Sequence, residues 1–423
     1  MGLTECRQKG IGILLHYETV KIIDIKNKKV GALYRFIQLI IISYVIGYVI
    51  VYKKGYQEFD VAISTVTTKL KGTTYVDFGK FNSTLFNGIR IYDPSDYVIP
   101  PQETDAVFVM TNMILTPKQS QSNCPEDSKF KDIHCKKDSD CPKMVPVKNG
   151  NGVRTGKCVS SDRNSSMTVC EIYGWCPTEV DQLPMPNNNF SDTVPLLDGT
   201  KYSTMLVKNQ ISFPKFRAIR NNIIQFNDST YLKRCHYNSD TDPLCPIFNL
   251  EDIVSSCGDN YTDVAYQGAI YGIIIEWDCN LDHSIDECLP KYQFKRLDDV
   301  NSPISPGYNF RYADYYVEED TRYRVLTKAY GIKFELLVHG KAGKFNVIPL
   351  LTNLGAGMAL LGIATVWCDF IVMYLLKKRN VYREHKYQRV DDDSQDPKGN
   401  VQVDDDENEL ESDRPEAERL IKP

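Results

Sequence analysis

The chain has 423 residues, a formal net charge of −5 and 42% hydrophobic residues, enough to bury a sizeable core. Its mean hydropathy of −0.35 excludes a polytopic transporter, and nothing in its charge calls for a nucleic-acid partner. The apolar residues are concentrated instead in two stretches separated by a long polar middle.

Residues 1–32 are mixed and weakly periodic, a cytoplasmic leader in which Thr19-Val20-Lys21 is at most a weak kinase signal. Residues 33–52, LYRFIQLIIISYVIGYVIVY, suit a first membrane span. They begin too late for a cleaved signal peptide and lack a small-residue cleavage site. Beyond the span, Glu58 and Asp60 fall close to the outer membrane surface, where acids concentrate cations. VAISTVTTKLKGTTYVDF then reads as strand, rich in Val and Thr and alternating around Leu70, which puts Lys69 and Lys71 on one face. TMLVK from Thr204, GAIYGIIIEW from Gly268 and the pair of strands within RYRVLTKAYGIKFELLV from Arg322 have the same character. The expectation for residues 53–346 is a mostly antiparallel β domain with little helix and no internal repeat.

Five sequons, at Asn82, Asn164, Asn189, Asn227 and Asn260, all lie in this middle region, as do eleven of the thirteen cysteines. Both features belong to the oxidising side of a membrane, so the termini are expected in the cytoplasm. Lys26, Lys28, Lys29 and Arg35 before the first span, and Lys377, Lys378 and Arg379 after the second, follow the positive-inside rule, which Lys53 and Lys54 soften. Cys124, Cys135, Cys141, Cys158, Cys170 and Cys176 crowd residues 124–176, a head with few apolar residues that needs covalent staples. Six cysteines allow fifteen connectivities, and spacing does not choose among them. No pair there has zinc-like spacing, so no metal is expected. Cys235 with Cys245 and Cys279 with Cys288 make natural short loops, leaving Cys257 over.

Enzyme motifs are poor. GKAGKF, Gly340 to Phe345, lacks the gap and the Ser or Thr of a phosphate loop; Asp198-Gly199-Thr200 suggests an ectonucleotidase loop without a second copy; the six histidines form no cluster. No catalytic residue is expected. Residues 347–376 form a second span of thirty nearly unbroken apolar residues, about 45 Å as a helix against about 30 Å of hydrocarbon. It carries Thr352, Asn353, Thr365 and Asp369, and polar groups at membrane depth normally face protein or water. Thr352, Ala356 and Ala359 follow one helical face, and Gly355 with Ala359 makes a small pair that permits close backbone approach. Several copies of such a helix could enclose a pore. Residues 377–423 end in an acidic tail, with thirteen acids against Lys398 and Arg414 between residues 391 and 418, which reads as solvated and disordered.

The blocks SYVIGYVIVYKKGYQE, TTKLKG, FVMTNMILT, CPIF, WDCNLD, SPGYNFRYA, KAYGIKFELLVHGKAGKF and ATVWCDFIVMYLLKKR, in this order, closely resemble the ATP-gated ionotropic purinoceptors, the P2X receptor channels. The resemblance covers residues 8–390 and implies a homotrimer whose second spans line a non-selective pore for sodium, potassium and calcium in the plasma membrane. It implies ATP as agonist, alone or with magnesium, and no cofactor. Carried over by position, it assigns Lys69, Lys71, Asn309, Arg311 and Lys328 to the phosphates, Thr204 to adenine, and Leu206, Leu232 and Ile247 to base and ribose. Four cations and an amide match a tetra-anionic ligand without hydrolytic machinery. Thr352, Ala356 and Ala359 match the family's gate, although Thr352 replaces an aliphatic residue common there. The implied disulfides join Cys124 to Cys176, Cys135 to Cys158, Cys141 to Cys170, Cys235 to Cys245 and Cys279 to Cys288, and Tyr382 with Lys386 matches a surface-retention motif. Two rivals remain at this point. A degenerin-type channel shares the two-span plan but needs a His-Gly and a Gly-x-Ser filter that are missing, and a two-span ectonucleotidase would release phosphate from ATP.

Overall fold

A computed structural model describes residues 28–80, 88–183, 194–224, 230–301, 304–375 and 379–380. The chain divides into two compact units, one holding residues 54–351 and the other the flanking helical segments.

In the larger unit the chain forms β1 (Gln57–Val61), β2 (Ile63–Lys71), β3 (Thr74–Asp77), β4 (Ile89–Tyr92) and the long β5 (Ala106–Pro125). The head follows with β6 (Gly152–Ser160) and β7 (Thr168–Cys176), then β8 (Thr204–Phe213) and β9 (Ala218–Asn221). After the short helix α1 (Tyr231–Arg234) come β10 (Ile247–Asn249), α2 (Leu250–Ser256), α3 (Tyr261–Gln267), β11 (Ala269–Asn280), β12 (Pro290–Arg296), β13 (Asn309–Glu318) and β14 (Thr321–Phe345). Asparagines start both longer helices. The Asn249 side chain accepts from Glu251 N, and that of Asn260 from Thr262 N and Asp263 N, satisfying amides with no partner inside the helix.

Eight strands make the main sheet, with β12, β11, β14, β5, β7 and β6 in order and β1 and β13 added along β14. A second sheet runs β10, β8, β2, with β9 on the free edge of β8. Most ladders are antiparallel, but β11 and β14 run parallel from the pair Ala269 and Ile332 to the pair Asn280 and Gly343. The expected pair of strands after Arg322 is one strand of 25 residues. Gly331 does not turn the chain there; it sits at a bulge opposite β5. GKAGKF is the end of that strand. A Cβ on Gly340 would lie 2.3 Å from Ala62 Cβ, so the glycine is there for packing and not for phosphate.

The core lies between the two sheets. Trp277 is 2% exposed, and its Nε1 donates to Asn209 Oδ1 at 2.8 Å across from β11 to β8. Asn209 Nδ2 donates in turn to Ser64 Oγ, and Asn222 Nδ2 donates to Val207 O and Tyr292 Oη, so these buried amides are satisfied. Edge-to-face rings of Tyr237, Phe248, Tyr292 and Phe294 fill the space beside them. The head has only a small apolar nucleus of Ile133, Val147, Val169 and Ile172. It is held by disulfides Cys124–Cys176, Cys135–Cys158 and Cys141–Cys170, each contributing about 2–4 kcal/mol by constraining the unfolded chain. Cys235–Cys245 and Cys279–Cys288 close the two short loops.

The smaller unit contains α4 (Lys28–Ser43), which continues to Tyr52 as π-helical turns, and most of α5 (Val347–Phe370), which continues to Leu375 in the same way. Both are long and apolar enough to cross a membrane. The close approach between them occurs at Gly357, where an added Cβ would lie 2.7 Å from Val45 Cγ1. Gly355 faces open space, so the glycine of the expected Gly355 and Ala359 pair is not the one that meets α4. Buried Gly357, Ala364, Cys368 and Val372 form a single stripe on this face.

Candidate functional site

Strand alternation and register together assemble a face on the smaller sheet. Lys69 of β2 lies opposite Leu206 of β8, which lies opposite Ile247 of β10; one row on, Lys71 lies opposite Thr204 and Thr204 opposite Asn249. Both lysines are exposed, while Thr204, Leu206 and Ile247 are half-buried. The result is a shallow apolar floor beside two free ammonium groups, suited to a ring system joined to a polyanion. Leu232 lies on α1, tied to the start of β10 through the Cys235–Cys245 disulfide.

The remaining cations sit on the larger sheet. Arg311 of β13 and Lys328 of β14 are direct cross-strand partners, and Asn309 pairs with Tyr330 one row away. Phe310, between them, points inward against Phe108 at 4.8 Å and fixes which way Asn309 and Arg311 face. Among the described residues, no hydrogen bond or ion pair joins Arg311 or Lys328 to the lysine-bearing face.

Within the chain these cations hold carboxylates. Arg311 Nε donates to Glu179 Oε2 at 2.8 Å and its Nη2 to Asp181 Oδ2 at 2.9 Å, while Lys328 Nζ donates to Asp181 Oδ1. Burial opposes ionisation of Lys328 and Arg311, but the bonds from Asp181 and Glu179 outweigh it and raise both cations above their ordinary values. Burial likewise acts to raise Asp181, and the Lys328 hydrogen bond with the charges of Lys328 and Arg311 overrides it, leaving the carboxyl lowered. A lowered carboxyl contributes stability above its unfolded pKa of about 3.9 and loses it only as pH falls through the still lower folded value. Mild acidification therefore leaves the Asp181 contacts with Lys328 and Arg311 closed. Neither acid was expected from sequence; the one available signal was two carboxylates at alternate positions in a proline-bounded segment just after the head.

Other expected features are also placed. Asp198 bonds Lys201 and Thr262, and Thr200 is fully buried against Tyr261, so this tripeptide is structural. Exposed Asn164 and Asn260 use their carbonyl oxygens locally, on Ser166 and on α3, which leaves the amide nitrogen that a glycan would occupy. Asn82, Asn189, Asn227, Tyr382 and Lys386 lie outside the described residues. The cysteines Cys135, Cys141 and Cys170 that cluster closely enough for a metal are all disulfide-bonded. At 100° per residue, Thr352 and Ala359 fall on the side of α5 away from the Gly357 stripe, with Ala356 about 100° from it. Asn353 lies about 40° from Gly357, beside the stripe, whereas Asp369 lies about 120° from it.

Cys257 is one of two free cysteines among the described residues, and burial first, then the Asp259 charge, pushes its thiol up. Little thiolate is present at neutral pH. Maleimide labelling of Cys257, followed by mass spectrometry, is expected to be slow at pH 7 and to quicken steadily towards pH 10. Fast labelling already at pH 7 would contradict the burial argument.

The described residues thus combine two membrane-length helices, a disulfide-stapled β domain, a cationic face and a carboxylate-held cation pair. The family model for the ATP P2X receptor matches residues 15–389, and the chain belongs to that family. It is 46% identical over 394 residues to P2X purinoceptor 4 of Bos taurus, covering 92% of this chain and 97% of that protein. To P2X purinoceptor 5 of Homo sapiens it is 42% identical, covering 92% and 85%. Among solved structures, an invertebrate P2X receptor from the Gulf Coast tick, in the presence of ATP and Zn2+, superposes with a TM-score of 0.73 at 42% identity, covering 80% of this chain and 99% of that one. The chicken ATP-gated P2X7 receptor channel with the competitive antagonist TNP-ATP gives 0.68 at 35% identity, covering 82% and 100%.

Proposed function

We infer that this chain is an extracellular-ATP-gated cation channel, assembled as a trimer, with ATP bridging two subunits. The observation that carries the bridging is the separation of the site into two halves on different sheets: Lys69, Lys71, Thr204, Leu206 and Ile247 on one, Asn309, Arg311 and Lys328 on the other. Triphosphate bound by one subunit's lysines displaces Glu179 and Asp181 from the neighbour's Arg311 and Lys328. Because phosphate oxygens replace carboxylate oxygens, the cations are never left bare. Opening needs differential affinity, about 5.5 kcal/mol to invert a 1:99 equilibrium, which several such contacts can supply. No catalytic residue or resident metal takes part; magnesium enters only as a companion of ATP.

Sodium, potassium and calcium are the ions assigned to the pore, which three copies of α5 line in the plasma-membrane bilayer. Both termini are placed in the cytoplasm, with residues 53–346 outside, a reading supported by the sequons and by five disulfides between the spans. Family membership supports neither a degenerin nor an ectonucleotidase. Patch-clamp recording of transfected cells tests the whole reading: ATP must evoke a cation current. For the gate, cysteines at Ala356 or Ala359 are expected to react with charged thiol reagents many times faster during ATP application. Equal rates with and without ATP would count against a constriction at that level.

A further inference from the structure

Arg324 is a cation on the same hairpin as the phosphate pair, yet its charge is spent elsewhere. Register places it opposite Tyr315, on the face shared by Arg311 and Lys328, since residues 324 and 328 and residues 311 and 315 are each separated by an even number of positions. Its guanidinium carbon lies 4.4 Å from the centroid of the Trp175 ring, and Trp175 meets Tyr315 edge to face at 5.8 Å. The Arg322 guanidinium carbon lies 4.5 Å from the centroid of the Tyr315 ring. Arg324 Nε also donates at 2.7 Å to Gln119 Oε1, and Gln119, 1% exposed, donates its amide at 2.7 Å to Pro177 O. Pro177 is two residues before Glu179. One stacked and hydrogen-bonded staple thus joins the hairpin that carries Arg311 and Lys328 to the strap that carries their carboxylates, at the point where the strap leaves the head.

We propose that Arg324 is a positioning residue that acts through the Trp175 ring, holding the phosphate-binding cations in line with the head, and that it does not itself contact the nucleotide. This deepens the ATP-bridging reading and rests on it. Loss of the staple lowers ATP sensitivity instead of raising it. The strap remains on Arg311 and Lys328 through its own ion pairs, so competition for the cations persists while their alignment is lost.

The test uses the full-length receptor in transfected cells, with surface trimers quantified. Trp175→Ala and Arg324→Lys are each expected to raise the half-maximal ATP concentration by about 2- to 30-fold, the range of a cation–π contact. The double variant is expected to be no worse than the poorer single one, and Trp175→Phe close to wild type. Arg324→Lys preserves charge, so wild-type behaviour there combined with a large loss in Arg324→Ala would mark a direct phosphate contact and overturn the proposal. Additive shifts in the double variant would overturn it too. A measurement independent of gating separates this proposal from the reading beneath it. In purified ligand-free receptor, amide exchange over residues 177–182 is expected to quicken in Trp175→Ala and Arg324→Lys but not in Trp175→Phe. That pattern in a receptor silent to ATP would overturn the ATP reading and leave the staple standing, whereas unchanged exchange would overturn the staple.

Discussion

Alanine at Lys71 or at Arg311 is expected to remove nearly all ATP-evoked current, and co-expression of the two variants to restore part of it. Each side chain supplies a charge-assisted bond whose loss costs about 1.5–3 kcal/mol, or roughly 10- to 150-fold in affinity. The two variants differ in what they leave behind. Lys71 is exposed, so its removal strands nothing. Removal of Arg311 takes the ion-pair partner from Glu179, whose side chain is only 10% exposed, so surface trimers must be counted alongside currents. Rescue follows from the divided site. A chain with Arg311→Ala still offers Lys71 to a neighbour with Lys71→Ala, and that neighbour offers Arg311 to the next interface. Mixed trimers that reach the surface and carry no current would place the whole site within one chain.

The second large effect is expected at Gly331, which offers the site no side chain. An added Cβ would sit 2.1 Å from Val109 O, 2.7 Å from Phe108 Cζ and 2.9 Å from Met110 Cα. Phe108 and Val109 are fully buried, and the obstruction is neighbouring backbone at a bulge, so no rotamer change relieves it. Gly331→Ala is expected to cost about 3 kcal/mol or more and to empty the cell surface of assembled receptor. Gly355→Ala, where nothing lies within 4 Å, is the control and is expected to express normally. Wild-type surface expression of Gly331→Ala would show that the bulge can open.

How far this could be read beforehand depended on the range of each interaction. The common face of Lys69 and Lys71 is a local property of alternation and was legible. That Leu206 and Ile247 line up beside Lys69 was carried by resemblance alone, because register is fixed by partner strands distant in the sequence. The clasp of Glu179 and Asp181 on Arg311 and Lys328 joins residues 132 and 147 positions apart, and acids that meet cations only in space leave no periodic trace. The stretch from Arg322 shows no local sign that it continues as one strand through Gly331; pairing with β5 on its far edge holds the chain straight there. In the helices, Gly355 and Gly357 are equally small, and only the position of Val45 tells which one is needed.

The unbroken run of β14 has a mechanical meaning. Twenty-five residues at about 3.3 Å each make a rod of about 80 Å, with Lys328 near one end and Phe345, two residues before α5, at the other. It is clamped by β13 and β5 above and by β11 and β1 below. A hinged connection would absorb a small displacement at Lys328 in torsions of its own. A rod braced on both edges has little compliance to offer, so a shift imposed at Lys328 travels along the strand with little energy dissipated on the way.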